Sequence, residues 1–170
     1  MPAGRGTRPT ADRAREGLFS TLESLTGTLA GARVLDLYAG SGAVGLEALS
    51  RGAAAALMVE SDDAAARVIQ ANVESLGLPG AEVRKGRAEL LVAAAPATEP
   101  FDVAFLDPPY DVDVTAALAA LVPWLTADAV VAVERRTRGE EPTWPAGLQV
   151  ERSRRYGEAT LWYAVRTEVR

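Results

Sequence analysis

The sequence predicts an α/β fold in which a seven-stranded, mostly parallel sheet ends in an antiparallel hairpin. Between residues 33 and 134, short apolar runs alternate with segments of helical periodicity, a pattern typical of strands joined by crossover helices. Beyond residue 145, two strand-like runs follow each other with no helix between them. They should therefore pair antiparallel at the edge of the sheet.

The first half of the chain is predicted to contain two helices around the first two strands. A helix is expected up to residue 25, because Leu18, Phe19 and Leu22 would share one of its faces. Thr10 is expected to be its N-cap, since threonine is favoured there. Apolar runs predict strands at residues 33–38 and 56–60. A helix over 42–51 should connect them, since glycines mark the turn that precedes it.

The second half continues the alternation and then departs from it. A helix over 63–76 should end at Gly77, a residue suited to a left-handed C-terminal position. The remaining predicted elements are strands at 82–85, 101–106 and 129–134, helices at 87–95 and 114–124, and hairpin strands at 148–153 and 159–165. We expect one domain over 1–170: a basic segment with its helix (1–25), a binding core (33–134) and a C-terminal hairpin (147–166).

Composition excludes several classes of chemistry. The 170 residues include no histidine and no cysteine, so histidine acid–base catalysis, thiolate chemistry and disulfides are excluded. No apolar run approaches the roughly 20 residues needed to cross a bilayer. A net charge of −5 is unusual for a protein that binds nucleic acid. Arginines are nevertheless clustered, as Arg5, Arg8, Arg13 and Arg15, and as Arg135, Arg136, Arg138, Arg152, Arg154 and Arg155.

A glycine-rich turn follows the first predicted strand. Gly40, Gly42 and Gly45 satisfy the spacing G-x-G-x-x-G, and Glu60 closes the next strand, where an acid can accept both hydroxyls of a ribose. A nicotinamide dinucleotide and S-adenosylmethionine both fit this order, and a tight turn beside a surface glutamate is the simpler alternative. Asp36 favours S-adenosylmethionine, because a carboxylate suits a cationic ligand and repels a pyrophosphate.

A second motif, Asp107-Pro-Pro-Tyr110, follows the apolar run 101–106. Open α/β sheets bind ligands at the carboxyl ends of their strands. The prolines remove two backbone donors, which leaves carbonyl groups as acceptors. An acidic acceptor, a carbonyl and an aromatic ring together suit a flat heterocycle with an exocyclic amine. The sequence therefore predicts a base-binding site here.

Taken together, these motifs resemble those of S-adenosylmethionine-dependent methyltransferases. The segments concerned are residues 34–42 (Val-Leu-Asp-Leu-Tyr-Ala-Gly-Ser-Gly), Val59-Glu60 and Asp107-Pro-Pro-Tyr110. Two further segments narrow the resemblance to the RsmD family: Arg8-Pro-Thr with residues 12–19, and Arg155-Tyr-Gly157 near the end of the chain. Members of that family methylate the 2-amino group of a guanine in 16S rRNA. The resemblance implies a Rossmann-like class I methyltransferase fold.

The resemblance also implies roles for individual residues. The expected cofactor-binding residues are Asp36, Tyr38, Ala39, Gly40, Ser41, Gly42, Glu60, Ser61, Arg87 and Ala88. The cofactor is expected against the main chain at Gly42, so that a side chain placed there would point at it. The expected catalytic residues are Asp107, Pro108, Pro109 and Tyr110, and the expected RNA contacts are Arg8, Thr10, Arg13 and Tyr110. S-adenosylmethionine would be the cofactor, S-adenosylhomocysteine the product, and no metal would be needed.

Two features depart from the family pattern. Related enzymes often have Asp or Asn at the position of Arg87, where they accept a hydrogen bond from adenine; arginine has no acceptor, so backbone groups such as those of Ala88 are expected instead. Family members also usually begin with a basic, glycine-rich hairpin arm, whereas this sequence starts almost at Arg8-Pro-Thr. We therefore expect this chain by itself to bind RNA weakly.

The expected partner is 16S rRNA, within an assembled or assembling small ribosomal subunit, and the expected state is a cytoplasmic monomer that does not contact membranes. An adenine or cytosine amine would suit Asp107-Pro-Pro-Tyr110 equally well, so the target base comes from the resemblance alone. Two alternatives from other classes remain open. One is a nicotinamide-dependent oxidoreductase, and the other is a non-catalytic RNA-binding assembly factor with a methyltransferase fold.

Overall fold

The computed structural model describes residues 9–168, which form five α-helices and seven β-strands. Helix α1 (Pro9–Thr26) precedes β1 (Arg33–Asp36), α2 (Ala43–Ser50), β2 (Ala55–Glu60), α3 (Asp63–Leu76) and β3 (Ala81–Lys85). The chain continues through α4 (Ala88–Ala93), β4 (Phe101–Leu106), α5 (Thr115–Leu121), a short 3₁₀ turn (Val122–Trp124), β5 (Leu125–Arg136), β6 (Leu148–Tyr156) and β7 (Ala159–Arg166).

The seven strands form one sheet in the order β3-β2-β1-β4-β5-β7-β6. Strands β1 to β5 run parallel to one another, whereas β7 pairs antiparallel with both β5 and β6. The predicted α/β fold with a C-terminal hairpin is confirmed. After β1 the chain proceeds outward to β3 and then returns to β4 on the other side of β1. This reversal opens a crevice at the carboxyl ends of β1 and β4, where such sheets bind ligands.

Helices cover both faces of the sheet, and each face has its own apolar core. One core contains Leu35, Leu57, Leu106 and Val133 from the strands with Leu118 from α5. The other contains residues of α1 and α2 packed on alternate strand positions: Leu18, Phe19, Leu22, Leu49, Val34, Phe105, Val130 and Tyr163. Because successive side chains of a strand point to opposite faces, the nearly continuous apolar runs of β1, β4 and β5 fill both cores.

Several predicted boundaries are wrong for identifiable reasons. The first helix begins at Pro9, so Thr10 lies inside its first turn and is not the N-cap. Strand β1 ends at Asp36, since the chain then bends into the glycine turn. The fifth helix stops at Leu121, because the ring and missing N–H of Pro123 favour a 3₁₀ turn there. Strand β5 starts four residues early, at Leu125.

Arg8 lies outside the described residues. No helix within residues 9–168 is both long enough and apolar enough to span a membrane.

Asp102 links three strands at the end of the sheet that lies opposite the crevice. Its carboxylate accepts hydrogen bonds from the backbone N–H of Arg33 at 2.9 Å and from Thr126 Oγ1 at 3.2 Å. These bonds join the starts of β1, β4 and β5.

We expect Asp102→Ala to lower the free energy of unfolding by roughly 1–3 kcal/mol, because the N–H of Arg33 would lose its partner. Urea unfolding followed by circular dichroism measures this change. Asp111→Ala, at an exposed loop position, is the matched control and should change stability by less than about 0.5 kcal/mol. Equal midpoints for the two variants would contradict the role assigned to Asp102.

Candidate active site

The turn after β1 is fixed by backbone hydrogen bonds to both neighbouring strands. The N–H of Leu37 donates to the carbonyl of Phe105 at 3.0 Å, and that of Ala39 donates to the carbonyl of Val59 at 2.9 Å. Gly40 has φ 58° and Gly42 has φ 82°, both in the left-handed region that favours glycine. The turn therefore holds a defined shape above the carboxyl ends of β2, β1 and β4.

Gly42 packs closely against the core and so contributes to the shape of this turn. A Cβ atom at Gly42 would lie 2.9 Å from Ile69 Cγ2, a fully buried side chain of α3. The missing side chain of Gly42 thus faces the core, and the residues of the turn that line the crevice are Tyr38, Ala39, Gly40 and Ser41. The expectation that a side chain at Gly42 would point at a cofactor is wrong.

Glu60 closes one side of the crevice at the end of β2. Its Oε1 accepts a hydrogen bond from the N–H of Gly40 at 2.8 Å, and its Oε2 accepts one from the N–H of Asp62 at 2.9 Å. Each oxygen keeps a further lone pair for a ligand. A cavity of about 530 Å³ lies beside Glu60, and its walls include Ser61, Arg87 and Ala88.

Asp36 forms the floor of the crevice and is 1% exposed. Its Oδ2 accepts a hydrogen bond from the N–H of Gly45 at 3.2 Å, whereas Oδ1 has no partner among the described residues. Burial raises the pKa of Asp36 to about 7, and the charges of Asp107 and Glu60 act in the same direction. A buried acceptor with a free oxygen is suited to an ammonium or other cationic group.

The Asp107-Pro-Pro-Tyr110 segment begins directly after β4, the strand that pairs with β1 beside Asp36. The guanidinium of Arg135 donates to the carbonyls of Pro109, Tyr110 and Val112 at 3.3, 2.9 and 3.0 Å. These hydrogen bonds fix the path of the loop. Within residues 9–168, no donor lies at hydrogen-bonding distance from the carbonyl of Pro108. The carbonyl of Pro109 is thus occupied, whereas that of Pro108 is available to a ligand.

Tyr110 is 45% exposed, and the guanidinium of Arg136 lies 4.3 Å from its ring centroid. This cation–π contact covers one face of the ring. Arg135 and Arg136 therefore both contact the loop that carries Tyr110, and the guanidinium of Arg136 remains exposed.

Glu134 is a residue of this site that the sequence analysis missed. It follows Val133 of β5, which pairs with Leu106 of β4, so Glu134 lies beside Asp107 where β4 ends, two residues before the end of β5. Burial and the neighbouring Asp107 raise the pKa of Glu134 to about 7. A carboxylate at the carboxyl end of an apolar strand was the available signal, but strand order was needed to place it beside Asp107.

The remaining predicted residues divide between the crevice and its surroundings. Tyr38 lies between the two halves of the crevice and donates from its hydroxyl to Glu89 Oε1 at 3.1 Å. Arg87 precedes α4 and is exposed, whereas Ala88 is buried at the first position of that helix. Arg13 is exposed on α1. Trp124 packs in the core and is 3% exposed.

A second cavity of about 600 Å³ joins the first at Tyr38, Gly40, Asp107, Tyr110 and Glu134. Its far wall is formed by α1 and by the turn between β6 and β7, including Tyr156 and Gly157. The crevice therefore has two compartments. One lies against Glu60 and α4, the other lies beneath α1, and the Asp107 carboxyl group is shared by both.

Comparison with known proteins agrees with this architecture. The family model described as "Conserved hypothetical protein 95" matches residues 1–165. "Ribosomal RNA small subunit methyltransferase D" of Escherichia coli K12 is 35% identical over 161 residues, which cover 93% of this chain and 79% of that protein. The protein of the same name from Haemophilus influenzae is 34% identical over 134 residues, covering 76% of this chain and 68% of that protein.

Solved structures resemble the fold over nearly the whole chain. The E. coli protein yhhF superposes with a TM-score of 0.84 at 34% identity, covering 98% of this chain and 91% of that chain. Magnesium protoporphyrin IX methyltransferase from Synechocystis was solved with bound S-adenosylmethionine. It superposes with a TM-score of 0.71 at 14% identity, covering 96% of this chain and 87% of that chain. That second likeness concerns the fold alone.

The sheet order, the glycine turn and the crevice at the carboxyl ends of β1 and β4 define the fold of class I S-adenosylmethionine-dependent methyltransferases. Within that class, the chain belongs to the RsmD family.

The buried Asp36 should make stability fall as the pH rises. Its folded-state pKa of about 7 lies above its ordinary value of 3.8, so its contribution to stability is complete below about pH 4 and is lost as the pH approaches 7. In Asp36→Asn this loss is absent. We expect the stability of Asp36→Asn relative to the wild type to rise between pH 5 and pH 7.5, as measured by urea unfolding at both pH values. A constant difference between the two proteins would contradict the burial of an ionisable Asp36.

Proposed function

We propose that this protein transfers a methyl group from S-adenosylmethionine to the exocyclic 2-amino group of a guanine in 16S rRNA of the small ribosomal subunit, in the cytoplasm. The observation that carries the proposal is the position of Asp107 between a compartment suited to a nucleoside and a second compartment open to a base. The names of the E. coli and H. influenzae relatives support rRNA as the substrate, and guanine N2 is the finer part of the proposal.

The residues of the crevice fit S-adenosylmethionine. The unpartnered Oδ1 of Asp36 would accept from the ammonium group of the methionine part, and Gly40 and Ser41 would line its path. Glu60 has lone pairs free for the two ribose hydroxyls, and Ser61 lies beside it. The adenine would lie between Arg87, Ala88 and the α4 side of the cavity, held by backbone groups because arginine offers no acceptor. When bound, the cofactor supplies an electrophilic methyl group on a sulfonium.

Asp107 and the carbonyl of Pro108 would hold the target amine. A guanine 2-amino nitrogen is a poor nucleophile, because its lone pair is delocalised into the ring. If Asp107 and Pro108 each accept one N–H, they draw the nitrogen toward tetrahedral geometry and free its lone pair. Tyr110 would stack on the base, a contact worth roughly 1–3 kcal/mol on single-strand platforms. The base must leave its stack to reach this crevice, so the target is expected in a loop or as a flipped nucleotide.

The cofactor assignment is tested by binding. We expect Glu60→Ala to weaken S-adenosylhomocysteine binding by roughly 1–3 kcal/mol in isothermal titration, since the ribose hydroxyls lose their acceptor and Gly40 loses its anchor. Glu82→Ala, an exposed change on β3, is the matched control and should bind normally. The wild type should bind S-adenosylhomocysteine and not NAD. Binding of NAD in its place would favour a nicotinamide-dependent oxidoreductase.

The role of Asp107 is tested by comparing two variants on small ribosomal subunits and on naked rRNA. Asp107→Asn should keep part of the methyl-transfer activity, because an amide oxygen still accepts a hydrogen bond. Asp107→Ala should lose roughly 100- to 1000-fold, the scale of one preorganised hydrogen-bonding group. S-adenosylhomocysteine affinity should change little in either variant.

An Asn variant as inactive as the Ala variant, with binding intact, would show that Asp107 acts as a base. A wild-type protein that binds these RNAs but methylates neither would favour the non-catalytic assembly factor. Mapping the methylated nucleotide decides between guanine N2 and the amines of adenine or cytosine.

A further inference from the structure

The outer strand of the C-terminal hairpin carries two arginines to which the proposed reaction gives no role. Strand β6 is the last strand of the sheet and pairs with β7 alone. Arg152 lies opposite Tyr163 of β7, and both of these side chains share one face of the sheet. Arg154 lies opposite Leu161 in the same way. Because Tyr163 and Leu161 belong to the core that α1 covers, both arginines are on the α1 face.

Neither arginine has an acidic partner among residues 9–168, since no carboxylate there pairs with either guanidinium. Arg154 is exposed and donates to the carbonyl of Ser153 at 2.9 Å, which leaves its charge in place, and Arg152 is half-buried. Arg155 points to the opposite face of the strand, and its guanidinium donates to the carbonyl of Gly157 at 3.2 Å. The edge arginines, Arg152 and Arg154, therefore place two positive charges on the α1 side.

The side of α1 that faces β6 carries no acid. Gly17 marks this side, because a Cβ atom there would overlap the hydroxyl oxygen of Tyr156 at the end of β6. Residues three, four and seven positions from Gly17 share its side of the helix: Arg13, Ala14, Ser20, Thr21 and Ser24. Arg13 is exposed and lies one turn before the contact with Tyr156. A groove with arginines on both sides thus runs between α1 and β6.

Two of the three acids of α1 lie on its other side, towards α2. Asp12 is paired with Arg15, which also pairs with Glu47 of α2, and Glu23 is paired with the arginine that follows α2. The third acid, Glu16, is exposed and lies about 100° around the helix from the residue after it, Gly17. The net charge of −5 is therefore unevenly distributed, and a local positive potential along the groove is compatible with it.

The groove ends at the proposed acceptor site. Tyr156 and Gly157 follow the edge arginines and line the compartment beneath α1. Thr137 fixes this turn, because its N–H donates to the carbonyl of Glu158 at 2.7 Å and its hydroxyl donates to that of Gly157 at 2.9 Å. The edge arginines are two and four residues from Tyr156, or about 7 and 13 Å along the strand. They are thus held at a fixed and short distance from the compartment.

We propose that the edge arginines, with Arg13 across the groove, bind the phosphodiester backbone of the RNA strand whose target base enters the compartment beneath α1. This proposal rests on the proposed methyl transfer to rRNA and names the surface that the RNA contacts. A single strand is the expected occupant, because the compartment takes a base that has left its stack. Guanidinium groups bind phosphate oxygens through paired hydrogen bonds that carry no sequence information. The groove therefore positions the strand, and the compartment selects the base.

Three phosphate contacts predict a modest affinity that depends on salt. For single strands, the logarithm of the binding constant falls against that of the salt concentration with a slope near −0.7 per phosphate, so three contacts give about −2. Binding should then weaken roughly 20-fold between about 50 and about 200 mM salt. This agrees with the weak RNA binding expected of this chain.

The first experiment measures RNA binding without cofactor or reaction. The fluorescence anisotropy of a short, labelled, single-stranded oligouridylate is followed as protein is added, at both salt concentrations. We expect Arg152→Ala/Arg154→Ala to lose about 10-fold in affinity at the lower salt concentration and to have a slope that is shallower by about 1.4. Arg152→Lys/Arg154→Lys should keep most of the affinity, because lysine also neutralises a phosphate.

The charge-matched control is Arg67→Ala/Arg84→Ala, which removes two exposed arginines from α3 and from β3, the strand at the opposite edge of the sheet. It should bind the oligonucleotide as the wild type does. An equal loss in this control would show a general effect of net charge and would overturn the proposal. A wild type that does not bind the oligonucleotide at the lower salt concentration would also overturn it. S-adenosylhomocysteine titration, expected to be unchanged in every variant, checks that each protein is folded.

The second experiment compares methyl transfer to small ribosomal subunits. Arg152→Ala/Arg154→Ala should raise KM for the RNA substrate about 10-fold and keep kcat within about 3-fold, because the edge arginines do not touch the reacting atoms. A lower kcat with an unchanged KM would contradict the proposed surface. RNA binding that depends on the edge arginines, without any methylation, would contradict the proposed function and leave the surface. Methylation that is insensitive to the edge arginines would do the reverse.

Discussion

The crowding of three carboxyl groups at the ends of β1, β4 and β5 is the constraint on which the rest of the site depends. Asp36 ends β1, Asp107 follows β4 and Glu134 lies in β5 beside Asp107; all three line one crevice, and burial raises the pKa of Asp36 and of Glu134. Such a group of acids is unfavourable unless protons or cations neutralise it. Arg135 keeps its charge while it donates to the loop carbonyls, and it lowers the pKa of Asp107, but no cation among the described residues acts on Asp36 in this way. A cationic ligand is therefore the natural complement of the crevice.

The same strand ends explain why the surrounding loops are so firmly held. The glycine turn is bonded to β2 and β4, Glu60 holds the N–H of Gly40, and Arg135 holds the loop after Asp107. Each contact joins segments that are distant in sequence but adjacent at the sheet edge. A crevice whose walls are fixed in this way loses little conformational freedom when a ligand binds, so binding free energy can be used for orientation.

Much of this arrangement could be predicted from the sequence, and the exceptions have a common cause. Strand β4 and helix α3 have the predicted bounds, because an apolar run flanked by turn residues and a glycine after an amphipathic helix are local signals. Glu134 and the engagement of Arg135 were missed, because both depend on β5 lying beside β4. The core-facing position of Gly42 was missed for the same reason, since it depends on where α3 packs.

In the proposed reaction, the side of the site that would hold the target amine makes a stricter demand than the side that would hold the cofactor. A cation can be bound by any of several carboxylates, but an amine nitrogen must be held with its lone pair aligned to the methyl group. Asp107 can do this if its carboxylate plane is fixed, and the prolines beside it fix only the backbone. The sheet register places Glu134 beside Asp107, so the order of the strands, and not the tetrapeptide alone, determines which groups surround Asp107.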